Sequence, residues 1–119
     1  MEKPKYREIL DENLKLAFSG EPQSACAGLK EGLAWALLDA EGNRSALLMF
    51  ARNLGIILDN NGDSEAAECF YQIALLADPN DSAVYFVLSD LYLRKGKADL
   101  SNAYHAKANG SGSPNQSEK

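Results

Sequence analysis

The fold of this chain is decided by residues 54–79, which read LGIILDNNGDSEAAECFYQIALLADP. Several positions in this stretch return 34 residues later: Leu54 corresponds to Leu88, and Gly62 corresponds to Gly96. A period of 34 residues that contains two helical segments is typical of stacked helical repeats. The sequence therefore predicts an array of helical hairpins, a class of structure that provides binding surfaces rather than enclosed reaction sites.

Apolar residues at helical spacing predict six helices, and no segment alternates with the period of two that strands show. The expected helices cover about residues 6–18, 23–40, 46–59, 64–77, 82–94 and 98–108. Gly20 and Pro22 end the first helix, and Pro79 ends the fourth. Ser45 is the expected N-cap of the third helix, and either Asp63 or Ser64 is that of the fourth. The chain is predicted to be all-α.

Small residues on the third and fourth helices predict how these two helices meet. Gly55 on the third helix and Ala67 and Ala74 on the fourth allow a close approach, because none of them has a bulky side chain. Leu54 and Tyr71 then fill the remaining space. The two helices are expected to form a tightly packed antiparallel hairpin.

The spacing resembles the tetratricopeptide repeat. The matching positions are Leu54, Gly55, Leu58, Gly62, Ala67, Tyr71, Ala74, Leu75 and Pro79, followed by Tyr85, Leu88, Tyr92, Gly96 and Ala108 in a second copy. The second copy departs from the pattern at Ser89, Ser101 and His105, which replace a small residue, an alanine and an aromatic residue. The resemblance implies a right-handed stack of antiparallel helix hairpins, a tetratricopeptide-like α-solenoid of about six helices.

The predicted organisation is a single helical-repeat domain over residues 1–108. Its parts are an N-terminal hairpin at 6–41, a first clear repeat at 48–81 and a second repeat at 82–108. A backward shift of 34 residues would place Gly20 and Pro22 inside a helix, so the first hairpin is either a degenerate repeat of altered length or an unrelated helical pair. We favour the degenerate repeat. Residues 109–119, NGSGSPNQSEK, are predicted to be a disordered tail because they offer little apolar surface to bury.

In tetratricopeptide arrays the first helix of each repeat lines a concave surface, and this resemblance implies the candidate binding site. The residues are Met49, Arg52, Asn53, Ile56, Asp59 and Asn60 on the third helix, and Ala83, Phe86, Val87, Asp90, Leu93 and Arg94 on the fifth. Apolar centres mixed with charged and amide groups suit an extended peptide or an amphipathic helix. The alternative is that Phe86 and Val87 pack against the N-terminal hairpin or a second copy of the chain.

Chaperone-binding members of the family clamp a terminal carboxylate with basic residues and asparagines. Only Arg52 fits that pattern, and Ile56 and Val87 stand where asparagines are needed. The carboxylate clamp is therefore disfavoured. His105 is the only histidine and is expected to pack in a half-buried position. No residue pattern indicates a nucleophile, a metal site or a phosphate loop, so we expect neither an enzyme nor a cofactor.

A net charge of −5 argues against nucleic-acid binding and against a polybasic membrane contact. The charged N-terminus, MEKPKYREIL, lacks the apolar core of a signal peptide, and no apolar run is long enough to span a bilayer. The sequence predicts a cytoplasmic protein without membrane insertion.

The expected function is a non-catalytic protein–protein interaction module that acts as an adaptor, assembly factor or chaperone. One alternative is a self-associating structural protein, a possible homodimer, in which copies stack on the last helix through Leu100 and Tyr104. Another is a subunit chaperone of type III secretion, an analogy that rests on the short length of the array.

Overall fold

The computed structural model describes residues 5–39 and 44–110, which fold into six α-helices without a strand in these ranges. The helices are α1 (Tyr6–Phe18), α2 (Pro22–Leu38), α3 (Arg44–Asn60), α4 (Ser64–Ala77), α5 (Ser82–Arg94) and α6 (Ala98–Gly110). The predicted all-α class with about six helices is confirmed. The six helices belong to two compact units: Met1–Ala77 contains α1 to α4, and Asp78–Lys119 contains α5 and α6. A single domain over residues 1–108 stays a prediction.

Some helix ends differ from the sequence-based expectation. Helix α3 begins at Arg44, so Ser45 lies in its first turn and is not the N-cap. Asp63, rather than Ser64, caps α4, because its Oδ1 accepts a hydrogen bond of 3.2 Å from the backbone N–H of Ala66. Helix α6 continues to Gly110. It therefore includes the first two residues of the predicted tail, and the rest of that tail lies outside the described residues.

The three helical hairpins share one turn geometry. Gly20, Gly62 and Gly96 have φ angles of +85°, +92° and +78°, a region that glycine adopts without a steric penalty. The backbone N–H after each glycine donates to a carbonyl five residues back, at 2.9, 2.8 and 2.9 Å, in the pairs Glu21–Leu16, Asp63–Leu58 and Lys97–Tyr92. The first hairpin thus turns as the other two do.

This shared turn gives the first hairpin a register that the sequence analysis missed. Gly20 and Gly62 lie 42 residues apart rather than 34. The same offset pairs Ala25 with Ala67, and both are fully buried. The longer spacing arises mainly from α2 and α3, which have 17 residues each, whereas α4 has 14 and α5 has 13. The assignment of residues 6–41 as a degenerate repeat stays a prediction.

Glycines allow neighbouring helices of the first unit to approach closely. Helix α2 packs against both α1 and α3, and α3 packs against α4. A Cβ atom added at Gly55 would overlap the ring of Tyr71, which is 1% exposed. A Cβ atom at Gly32 would lie 2.7 Å from the ring of Phe50, which is fully buried. Each glycine therefore provides the space that a large side chain of the facing helix occupies.

In the second unit, two serines replace the small apolar residues of this contact. Ser89 donates from Oγ to the carbonyl of Ser101 at 2.9 Å, and Ser101 donates from Oγ to the carbonyl of Ser89 at 2.8 Å. Both serines are buried. The reciprocal bonds satisfy two hydroxyl groups that would otherwise lose hydration without compensation.

The contact at Gly55 can be tested by Gly55→Ala. Alanine favours a helix by up to about 1 kcal/mol over glycine, but the added methyl group displaces the buried Tyr71 ring. We expect a net loss of about 1–3 kcal/mol in the free energy of unfolding, measured with urea and circular dichroism. The control is Gly110→Ala, since no atom lies within 4 Å of the added Cβ. A gain in stability at residue 55 would contradict the packing.

Replacement of either buried serine, Ser89→Ala or Ser101→Ala, removes one hydroxyl donor from the contact between α5 and α6. We expect each change to lower the free energy of unfolding by about 0.5–1.5 kcal/mol in the same assay. The matched control is Ser24→Ala on α2, where the serine is exposed and the expected change is within about 0.5 kcal/mol. Equal effects at residues 24 and 89 would show that the buried bonds contribute no net stability.

Candidate functional site

The first half of the predicted site lies along one face of α3. Met49, Arg52, Asn53, Ile56 and Asn60 recur at intervals of three and four residues, the spacing that places side chains on one side of a helix. Asn60 is exposed and the other four are half-buried. Asn53 donates from Nδ2 to the carbonyl of Met49 at 2.8 Å, which holds its amide group along the helix.

A groove opens beside this face, between the C-terminal ends of α1 and α3. It has a volume of about 300 Å³. Its lining residues are Leu14, Ala17 and Phe18 of α1, Asn53, Ile56, Ile57 and Asn60 of α3, and Gly20, Pro22 and Asn61 at its end. All ten are uncharged. The groove is thus a neutral, mainly apolar depression with carboxamide groups on the α3 side.

The sequence predicted Asn53, Ile56 and Asn60 as binding residues but did not indicate that α1 borders the same groove. Phe18 is 87% exposed at the edge of the groove. One signal in the sequence could have found it: a phenylalanine at the end of a helix, two residues before the turn glycine Gly20. In the prediction from sequence, that phenylalanine appears only as the last residue of the first helix.

The second half of the predicted site lies on α5, in the other unit. Phe86 and Leu93 are 55% and 61% exposed, so their apolar groups face solvent. Val87 on the same face is half-buried. Asp90 and Arg94 form an ion pair of 3.0 Å one helical turn apart. The face therefore combines open apolar surface with a charged pair, and the role of these five residues in binding stays a prediction.

The predicted role of His105 as a half-buried packing residue is wrong. His105 is exposed, and its ring lies 5.7 Å from the ring of Phe86 in an edge-to-face arrangement. Tyr104 provides the aromatic packing instead, stacked on Tyr92 at 5.3 Å and 5.9 Å from Tyr85. The physical reason is that two tyrosines of α5 offer Tyr104 aromatic partners, while the polar imidazole keeps its hydration.

Two side chains, Cys26 and Tyr85, have pKa values above the ordinary ones, and burial is the main cause for both. Burial raises the pKa of the Cys26 thiol, and the charge of Lys30 opposes this only in part. Burial also raises the pKa of the Tyr85 phenol, with Tyr104 and Asp78 adding to the effect. The Tyr85 hydroxyl donates to the carbonyl of Pro79 at 2.6 Å, which ties the start of α5 to the preceding turn. Neither group is prepared for nucleophilic chemistry.

Residues 5–39 and 44–110 lack the features of a metal site and of a membrane-spanning helix. No group of three or more His, Cys, Asp or Glu residues in these ranges could hold a metal ion. None of the helices there combines the length and the apolar character that a membrane crossing requires.

Comparison with known proteins shows the fold. No protein-family model matches the chain, and no curated protein matches it in sequence. A crystal structure of MamA is similar over 91% of this chain and 78% of its own, with a TM-score of 0.52 and 18% sequence identity. At this identity the likeness extends to the fold alone. Together with the packed hairpins, it supports a tetratricopeptide-like helical fold.

The two cysteines provide a test of the described burial. Cys69 is exposed, whereas Cys26 is buried and its thiol has a raised pKa. At pH 8 we expect a disulfide reagent to modify Cys69 at least about tenfold faster than Cys26, because the thiolate is the reactive form. Cys69→Ser should leave only the slow reaction, and Cys26→Ala only the fast one. Equal rates at the two thiols would contradict the burial of Cys26.

Proposed function

We propose that this chain is a non-catalytic protein-interaction module that binds a segment of another protein through the open face of α5, with the half-buried face of α3 as a second candidate surface. The observation that carries the proposal is the pair Phe86 and Leu93, large apolar side chains that are more than half exposed on one helix face. Completing the burial of both would contribute on the order of 2 kcal/mol to binding. The flanking ion pair of Asp90 and Arg94 would provide orientation.

The shape of the partner follows from the spacing of these side chains. Phe86 and Leu93 are separated by two helical turns, about 10 Å along the axis. An extended peptide or an amphipathic helix presents apolar side chains at comparable intervals, whereas a compact ligand would contact only one of them. The fold supports this proposal, because arrays of helical hairpins expose extended surfaces. The role would be that of an adaptor, assembly factor or chaperone in the cytoplasm.

Self-association is a second candidate function. Leu100 on α6 is 42% exposed and Tyr104 is half-buried, so a second copy could cover them. The remaining exposed side chains of α6 include Asp99, Asn102 and His105. These polar groups lie on other sides of the helix, but Lys107, three residues after Tyr104, is exposed on the same side as Leu100 and Tyr104. Its ammonium group would have to lose hydration in such an interface, which makes this candidate the weaker one.

The proposal can be tested by affinity capture from the soluble lysate of the source organism, followed by mass spectrometry. We expect wild type to retain a partner that Phe86→Ala/Leu93→Ala loses, because the change removes the exposed apolar groups. The matched control is Leu37→Ala/Leu76→Ala, which truncates leucines that are 64% and 81% exposed on α2 and α4. With the captured partner, calorimetry should then show at least about tenfold weaker binding for the α5 variant.

Two results would contradict this assignment. Retention of the same partner by all three proteins would place binding outside the α5 face. Capture of nothing except the chain itself, together with a concentration-dependent mass in light scattering, would favour self-association. Circular dichroism of each variant must match that of the wild type before any result is interpreted.

A further inference from the structure

The residues that line the groove between the ends of α1 and α3 indicate the chemistry of the partner. We propose that it is an anchor pocket for one large apolar side chain on an uncharged peptide segment of another protein. The proposal rests on the proposed function and specifies which kind of partner segment it recognises. It also adds α1 to the proposed binding site, because the sequence had indicated only α3 and α5.

The size of the groove suits a single anchor side chain. Its volume of about 300 Å³ is at the lower end of the roughly 300–1,000 Å³ typical of small-molecule sites. Leu14 and Ala17 on one side and Ile56 and Ile57 on the other provide apolar walls. Phe18, 87% exposed at the edge, would complete the enclosure of an inserted side chain.

The charge of the lining selects a neutral occupant. All ten lining residues are uncharged. A carboxylate or an ammonium group that entered the groove would lose hydration without meeting an opposite charge. Acidic residues next to the anchor side chain would weaken binding further, because Glu21 lines an adjoining depression that shares Gly20, Pro22 and Asn61 with the groove.

The carboxamide groups favour a peptide over a hydrocarbon chain. Asn53, Asn60 and Asn61 all border the groove. A carboxamide group provides hydrogen-bond donors and an acceptor. A peptide group that leaves water needs a partner of each kind, for its C=O and its N–H. Asn53 uses one Nδ2 hydrogen toward Met49 and keeps its Oδ1 as an acceptor. An acyl chain would leave these amides unused, whereas a peptide backbone beside the anchor could bond with them.

The chain itself offers little to fill the groove. Phe18 is 87% exposed in the presence of all the described residues, so none of them covers it. The remaining residues are 1–4 (MEKP), 40–43 (AEGN) and 111–119 (SGSPNQSEK), and Met1 is the only large apolar residue among them. The described residues therefore leave the groove open to a segment of another protein.

The test is a titration of the full ¹⁵N-labelled chain with three synthetic peptides, followed by two-dimensional NMR. The peptides are acetyl-Gly-Phe-Gly-amide, the same peptide with aspartate in place of both glycines, and acetyl-Gly-Ala-Gly-amide. We expect the first to shift the amide signals of the groove residues with a dissociation constant in the millimolar range. The charged peptide and the alanine peptide should bind at least about tenfold more weakly.

Two variants separate the groove from general surface effects. Ala17→Leu extends a side chain into the groove and should abolish the shifts. Leu38→Ser removes a leucine that is 76% exposed on α2, outside the groove lining, and should leave binding unchanged. The spectra also report whether each variant is folded. If Ala17→Leu is not folded, Phe18→Ser, at an exposed position, takes its place with an expected loss of at least about fivefold.

Absent shifts at the groove, or equal binding of the neutral and charged peptides, would overturn the anchor pocket. If Phe86→Ala/Leu93→Ala still releases the captured partner in that case, the proposed function stands without this pocket. Shifts of the same signals on dilution of the chain alone would show that a second copy, rather than another protein, occupies the groove.

Discussion

Neighbouring helices in this protein approach one another where a residue with little or no side chain faces a large one. Gly55 accommodates Tyr71 between α3 and α4, and Gly32 accommodates Phe50 between α2 and α3. Tyr71 and Phe50 are among the largest fully buried side chains of the described residues. Because these rings occupy the space beside a glycine, each helix pair gains close contact over a narrow strip. The remaining faces of the helices stay available for other contacts.

The second unit meets the same constraint with different chemistry. Ser89 and Ser101 stand 34 residues after Gly55 and Ala67, and their reciprocal hydrogen bonds hold α5 against α6. Tyr104 packs on Tyr85 and Tyr92. A polar contact of this kind requires every hydroxyl to be satisfied, so it tolerates less variation in geometry than an apolar one.

The candidate binding surfaces follow from the same packing. Helix α2 packs against both α1 and α3, whereas α1 touches α3 only lightly, so a gap opens between the ends of α1 and α3. In the second unit, α5 packs against α6 and still leaves Phe86 and Leu93 more than half exposed, with the Phe86 ring at the edge of that contact beside His105. Apolar side chains in a gap or on an open face favour a partner, because water is a poor solvent for them.

By itself the sequence determined the number of helices, most of their bounds, the hairpin turns and the close contact at Gly55. These features depend on residues near one another in the chain or on a simple repeat period, so spacing is enough to predict them. It also placed six candidate residues on one face of α3 and six on one face of α5. Their joint action in binding stays a proposal.

Only the tertiary structure decided which large side chains are buried and which stay open. Phe18 and Leu14 lie on the same helix at apolar positions, yet Phe18 is 87% exposed while Leu14 forms a wall of the groove. Tyr104 and His105 are adjacent, and the partners on α5 selected the tyrosine. The spacing within one helix specifies a face, but burial depends on what a different helix places opposite it.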